Sequence, residues 1–436
     1  MGPHERPSSL SPELVRRICA AVDERFDEQV AFLSDLVRHV SLRGREEAVQ
    51  DMVEGSLRAR GYDIDRFPVD GALVGIHPAF SWAAEEHLRG TNIVATMKGR
   101  GGGGRSLALN AHVDVVPAGV EDRWSSPPFE PVVRDGWMHG RGSADMKAGL
   151  SANVFALDAL QAAGVSLRGD VQVHSVVEEE TTGNGAASVL ARGYRADAFL
   201  CPEPTDERLV RANSGIAKFA LEVSGIPTHP QEPGKGRSAI DLAVRLMARL
   251  RELEARWIAE RLDKPHFAAI PNPVSLTFGT ISGGEWQASV ASACRIKGRI
   301  GFYPGDDPRR RTREFEDCVA STTGDDPAFA GAPSPTVHWN GSVHAGYELE
   351  PGTAAEAVLS SAHAAAREGA DGLRSSPMPC YLDAAVFAVH GGMTTLVYGP
   401  VGERIHGIDE RVDLASLRRV TKTIALFAAG WCGIDV

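Results

Sequence analysis

Apolar positions between Pro12 and Gly61 recur at helical spacing: Leu14, Ile18 and Val22, then Val30, Leu33, Leu36 and Val37, and later Val49, Met52 and Leu57. This period predicts two or three amphipathic helices, with Gly61 as a stop. Asn92 to Lys98 and Leu107 to Val115 read as strands flanking the glycine run 101–104, which suits a turn. A helix rich in Ala and Leu is predicted from Lys147 to Ala163, and a strand from Asp170 to Val177. Strands alternating with helices are the mark of an α/β fold. After Pro204 the texture changes. Strands are predicted at 217–223, 274–281 and 293–302, with helices at 239–256 and 309–322, which reads as a separate α+β unit. Helices at 352–368 and 413–429 and a short strand at 394–398 then restore the first texture. The simplest organisation is one α/β domain made of residues 1–211 and 337–436, interrupted by a smaller inserted domain at 212–336.

Length agrees, because 436 residues exceed what one hydrophobic core normally serves. A net charge of −11 without a basic stripe argues against a nucleic-acid partner. No apolar run approaches the roughly 20 residues that span a bilayer. The amino terminus MGPHERPSSLSPELVRR lacks the apolar centre of a signal peptide, so a cytoplasmic protein is expected. Six cysteines without any CxxC pair suit reduced thiols, so a metal site must use His, Asp and Glu.

Such residues cluster at predicted strand ends. His112 and Asp114 lie two apart in LALNAHVDVV, so a strand would point both the same way, with the histidine as zinc ligand and the aspartate able to orient its ring. By itself, a His-x-Asp pair also fits a solvated strand end. Asp145 stands in the turn GRGSADMKAGL, Glu178, Glu179 and Glu180 end the strand at 171–177, Glu203 is held between two prolines, and His406 follows the strand at 394–398. The carboxyl edge of an open α/β sheet is where sites form. Two histidines with several carboxylates suit zinc, with cobalt or manganese as substitutes. A bridging carboxylate lets two ions share a hydroxide nucleophile.

The ordered segments HVDVVP (112–117), GRGSADMKAG (140–149), EEETTGNGA (178–186), PEPT (202–205) and IHGIDE (405–410) resemble the motifs of one family. It is the dinuclear zinc metallopeptidase and deacylase family of acetylornithine deacetylase, succinyl-diaminopimelate desuccinylase, aminoacylase and glutamate carboxypeptidase. GIPTHPQEPGKGRSAI (225–240) is similar to that family's lid motif. The resemblance implies a zinc-peptidase-like domain whose mixed central sheet is flanked by helices, with the inserted unit as lid and dimerisation domain. It implies two divalent ions per chain, with Asp145 bridging, His112 and Glu203 on one ion, and Glu180 and His406 on the other. Glu179 would be the general base, Asp114 would orient His112, and His229 of the lid would stabilise the oxyanion. A cis bond from Asp145 to Met146 and a homodimer with His229 reaching its partner's site are also implied. His139 and His174 fall outside the family's ligand positions.

The chain departs from the pattern in three places. Ala288 and Ala291 stand where peptidase-like members carry an Asn and a Pro, and Pro230 and Gln231 replace small residues after His229. MPCYLDAA (378–385) puts Tyr381 and Leu382 where many relatives have a glycine-rich run, so the pocket is expected to be reshaped. The segment 294–307 is closer to the deacylase and deformylase branch. The expected activity is hydrolysis of the N-acyl bond of a small amine or amino acid. A dipeptidase or carboxypeptidase is the alternative, and a non-catalytic metal-binding protein on the same fold is disfavoured because Glu179 and the whole ligand set are present.

Overall fold

The computed structural model describes residues 10–82, 90–232, 234–369 and 372–435. Residues 1–9, on which part of the reading of the amino terminus rests, lie outside these.

The expected helices form at Pro12–Glu24, Phe26–Arg38 and Glu47–Ala59, each burying its apolar stripe. Gly61 follows the third at φ +79°, a backbone state that glycine adopts at little cost. A six-stranded sheet runs in the order Asp63–Pro68, Thr91–Met97, Val171–Val176, Leu107–His112, Ala198–Cys201, Thr394–Val397. Its first two pairings are antiparallel and the remaining three parallel, so the sheet is mixed. Every residue of Leu107–His112 is buried, which requires cover on both faces of the sheet. Helices Ala148–Ala162 and Leu414–Cys432 pack together and against this strand, while Asn184–Ala191 and Ala384–Gly391 pack on one another and on other strands of the sheet. Four parallel strands therefore end along one edge, and the loops beyond His112, Val176, Cys201 and Val397 share it.

A second sheet, antiparallel throughout, runs Leu276–Gly283, Ala293–Phe302, Gly215–Ser224, Thr336–His344. Helices Ala239–Ala259 and Pro308–Asp325 pack on it and on each other, around an apolar cluster separate from that of the large sheet. The strand Thr336–His344 carries this sheet beyond the boundary expected at 336. Its sequence TVHWNGSVH does not alternate cleanly between apolar and polar, and Gly341 interrupts it, so periodicity alone did not mark a strand there. Leu242, Leu246 and Leu250 face their own sheet within this cluster, whereas Ile240 and Val244 on the same helix are exposed.

All six cysteines are free. Among the described residues no helix is long and apolar enough to cross a membrane.

Candidate metal centre

His112 ends its strand with its side chain buried, and Asp145 follows in the irregular turn Ser143–Lys147, across a cis bond to Met146. Glu410 fixes this turn: one of its oxygens accepts from the N–H groups of Ala144 (3.0 Å) and Asp145 (3.1 Å), and the other pairs with buried Arg141. Glu178 leaves the strand Val171–Val176 in a left-handed conformation, φ +67°, uncommon for a non-glycine residue. Glu179 and Glu180 follow it. Glu203 enters between Pro202 and Pro204, packed so closely that a Cβ on Gly399 would lie 2.1 Å from its carbonyl oxygen. His406 is also left-handed, φ +60°, and half its side chain is exposed.

These residues converge. One oxygen of Asp145 lies 3.1 Å from His112 Nε2 and the other 3.3 Å from His406 Nε2. Glu180 Oε1 is 2.8 Å from the same His406 nitrogen, and Glu203 Oε1 is 3.9 Å from His112 Nε2. Ligating atoms of His112, Asp145 and Glu203 lie within 4.8 Å of one another, and so do those of Asp145, Glu180 and His406. Asp145 thus belongs to two triads, with one carboxylate oxygen turned to each histidine. Glu179 forms a third grouping with His112 and Glu180.

The electrostatics call for a cation. Burial pushes Glu203 well above the usual carboxylate range, and Asp145 and Asp383 push it further against the pull of His112. Glu179 is raised in the same way, by burial and then by Glu180, Asp383 and Glu203, with His112 opposing. Burial works against protonated His406, yet its bonds to Asp145 and Glu180 carry it to about 11. His112 is likewise raised well above its ordinary value despite burial, chiefly by Asp145 and then by neighbouring carboxylates. Asp145 is driven well below the usual range: burial opposes this, and the two histidines outweigh it. Crowded buried carboxylates need positive charge beside them. Glu203 Oε1 is buried without a hydrogen-bond partner among the described residues. A nitrogen and oxygen donor set with an unpartnered buried carboxylate oxygen fits divalent ions of the zinc type.

One expectation, that the Asp114 carboxylate orients the His112 ring, differs from the structure. His112 Nδ1 bonds the backbone carbonyl of Asp114 at 2.9 Å, and the Asp114 carboxylate stands 3.7 Å away. That carboxylate instead accepts from the N–H groups of Glu179 (3.3 Å) and Glu180 (3.1 Å), holding the glutamate turn. His229 is exposed in a loop, its Nδ1 accepting from Gln231 N–H, and among the described residues no hydrogen bond or ion pair joins it to the cluster. His174 is buried, 3.0 Å from Gln172 Oε1, and neither it nor His139 joins a metal-ligating group among the described residues.

Sequence reading passed over Glu410, although it closes the IHGIDE segment, and Asp383, next to Tyr381 and Leu382. Tyr381 donates to Asp383 at 2.9 Å, stacks on His344 with ring centroids 4.8 Å apart, and sets its hydroxyl 2.3 Å from where a Cβ on Gly183 would lie. Both Tyr381 and Leu382 are buried. The second oxygen of Asp383 is buried and has no hydrogen-bond partner among the described residues, and burial, with neighbouring carboxylates, lifts this group to about 7.

Comparison with known proteins agrees with this geometry. The model of Peptidase family M20/M25/M40 matches residues 108–430. The N-formyl-4-amino-5-aminomethyl-2-methylpyrimidine deformylase of Halalkalibacterium halodurans is 30% identical over 361 residues, covering 78% of this chain and 83% of that protein. The succinyl-diaminopimelate desuccinylase of Cereibacter sphaeroides is 27% identical over 409 residues, covering 89% and 95%. Among solved structures, a di-peptidase of Saccharomyces cerevisiae superposes with a TM-score of 0.79 at 15% identity, covering 97% of this chain and 99% of that one. Human carnosine dipeptidase 1 gives 0.75 at 15% identity, covering 96% and 99%. With the motifs, the mixed sheet and the paired triads in place, the chain belongs to peptidase family M20/M25/M40.

Proposed function

We propose that this protein is a metal-dependent amidohydrolase that cleaves the N-acyl bond of a small amine or amino acid, and that N-formyl and N-acetyl amides are its first substrates to test. The observation that carries the reading is Asp145, whose two oxygens face His112 and His406 and so tie together two ligand triads. His112, Asp145 and Glu203 would hold one divalent ion, and Asp145, Glu180 and His406 a second, zinc being the natural choice for this donor set. When bound, such ions lower the pKa of water and polarise an acyl carbonyl.

The chain's own residues supply the proton transfers. Glu179, buried and grouped with His112 and Glu180, takes the proton of the attacking water and delivers it to the amine nitrogen as the C–N bond breaks. Asp114 and Glu410 hold the two loops that carry the ligands, each through backbone N–H groups. Tyr381, buried with its hydroxyl against Gly183 at the end of the glutamate turn, takes up room there, which favours a short acyl group. The names of the relatives, a deformylase and a desuccinylase, support an N-acyl substrate over a peptide.

The test is a panel of N-formyl, N-acetyl, N-succinyl and aromatic N-acyl amines and amino acids, run alongside dipeptides on the zinc-loaded protein. Hydrolysis of a short N-acyl amide ahead of every dipeptide is expected. Cleavage of dipeptides alone would replace this reading with a peptidase.

A further inference from the structure

We propose that Lys218 of the inserted sheet is a positioning residue for the glutamate turn, setting the affinity of the ion site that uses Glu180 and the placement of Glu179. The inference rests on the two-metal reading above.

Lys218 lies in an otherwise apolar stretch of the strand Gly215–Ser224. Its ammonium donates to the carbonyl of Glu180 at 2.5 Å and to that of Thr181 at 3.2 Å. The adjacent strand Thr336–His344 completes the grip. Ser342 donates to the Thr181 carbonyl through both its N–H (2.9 Å) and its hydroxyl (2.8 Å), and His344 Nε2 lies 2.7 Å from the Thr182 carbonyl. Gly341, at φ +112°, allows this approach: a Cβ there would lie 2.9 Å from the Thr181 oxygen and 3.1 Å from Lys218 Cδ.

Three consecutive carbonyls of the turn are therefore held by the inserted sheet, while Asp114 of the large domain holds the N–H groups of Glu179 and Glu180. The backbone of Glu180 is fixed from both sides, and its side chain is thereby directed at His406. Burial lowers the pKa of Lys218, against the pull of the Glu180 and Glu179 carboxylates. Removing an ammonium from water is costly, and a neutral side chain would fill the same space without that cost. What the ammonium adds is a hold on the turn. The triad of His112, Asp145 and Glu203 receives no bond from Lys218 among the described residues, so the two ion sites are predicted to respond differently to its loss.

The experiment titrates metal-free protein with zinc by calorimetry, for wild type, Lys218→Met, Lys218→Arg and Ser342→Ala, with thermal melting of each metal-free protein as the fold control. Wild type is expected to bind two ions. Lys218→Met should leave one step near wild type and weaken the other about 10–100-fold, the usual cost of losing a group that orients a ligand. Its kcat should fall while KM stays near wild type, and Lys218→Arg, which can still reach two carbonyls, should recover part of both losses. If Lys218→Met does not fold, Ser342→Ala carries the same selective weakening at smaller amplitude. Both steps unchanged, or both weakened equally, would overturn the proposal and leave Lys218 a structural residue. A wild-type protein that binds only one ion would instead overturn the two-metal reading, and this inference with it.

Discussion

Glu179 and Glu180 are neighbours with different surroundings, and their roles follow from that difference. Glu180 Oε1 touches His406 at 2.8 Å and shares a triad with Asp145, while Glu179 lies outside both triads built on Asp145. Glu179→Gln keeps the shape and removes the basic oxygen, so turnover should fall about 10²–10⁴-fold with metal content unchanged. Glu180→Gln should instead lower metal affinity. Metal analysis beside steady-state kinetics reads both, and exchanged phenotypes would shift the assignment by one residue. At this scale the sequence named the residues that the structure brings together: His112, Glu179, Glu180, Glu203 and His406 lie at or beyond ends of strands in the large sheet, and Asp145 reaches them from the turn Ser143–Lys147. It did not show how Asp114 is used. An aspartate two residues from a histidine can reach the ring or a neighbouring turn, and only the path of the chain after Val176 puts two N–H groups in front of this one.

Elements with a strong period were legible nearly to their ends: the strand Ala293–Phe302 forms as expected, and the helix read as 239–256 runs to Ala259. Short or irregular elements were not. The helix Ala384–Gly391 is built on AAVFAVHG, which is apolar all round and so presents no face, and the strand Thr336–His344 depends on pairing with Gly215–Ser224. The strand Val171–Val176 carries a consequence for stability. His174 sits there among Tyr194, Phe199 and Phe387, and burial lowers its pKa to about 3. In the unfolded chain it titrates near its ordinary value of about 6.5. Between those values the unfolded state binds a proton that the folded state refuses, so stability is full above about pH 6.5 and falls as the pH drops toward 3. By pH 5 the loss from this residue is about 2 kcal/mol relative to pH 8. His174→Phe removes the titrating group, so urea denaturation of metal-free protein at pH 8 and pH 5 should show a smaller drop for the variant, by about that amount. Equal drops would mean that His174 is protonated in the folded state at pH 5.

The whole molecule leaves one feature unexplained by a single chain, the exposure of His229. The inserted unit presents an open edge at Leu276–Gly283, and near it Ile240, Val244, Ile281 and Trp286 are exposed, by 38%, 56%, 52% and 66%. The leucines of the same helix are committed to their own sheet, so they are unavailable to a partner and the outward residues are the ones that could meet one. An unpaired strand edge is a template for pairing with another chain, and two copies related by a two-fold axis can satisfy each other's edge. We propose that the protein is a homodimer through this face and that His229 acts in its partner's site, stabilising the oxyanion there. Two measurements test this. Val244→Glu places a charge on the exposed helix face and should shift the protein toward a monomer in sedimentation, with loss of activity because each site then lacks the partner's histidine. Mixing an inactive Glu179→Gln chain with an inactive His229→Ala chain should restore activity, since the mixed dimer contains one site with both an intact Glu179 and the histidine of the other subunit. That site can be competent only if His229 crosses the interface. Were His229 to act within its own chain, each chain of the mixture would still lack one essential group, and no activity would return however completely the subunits exchange.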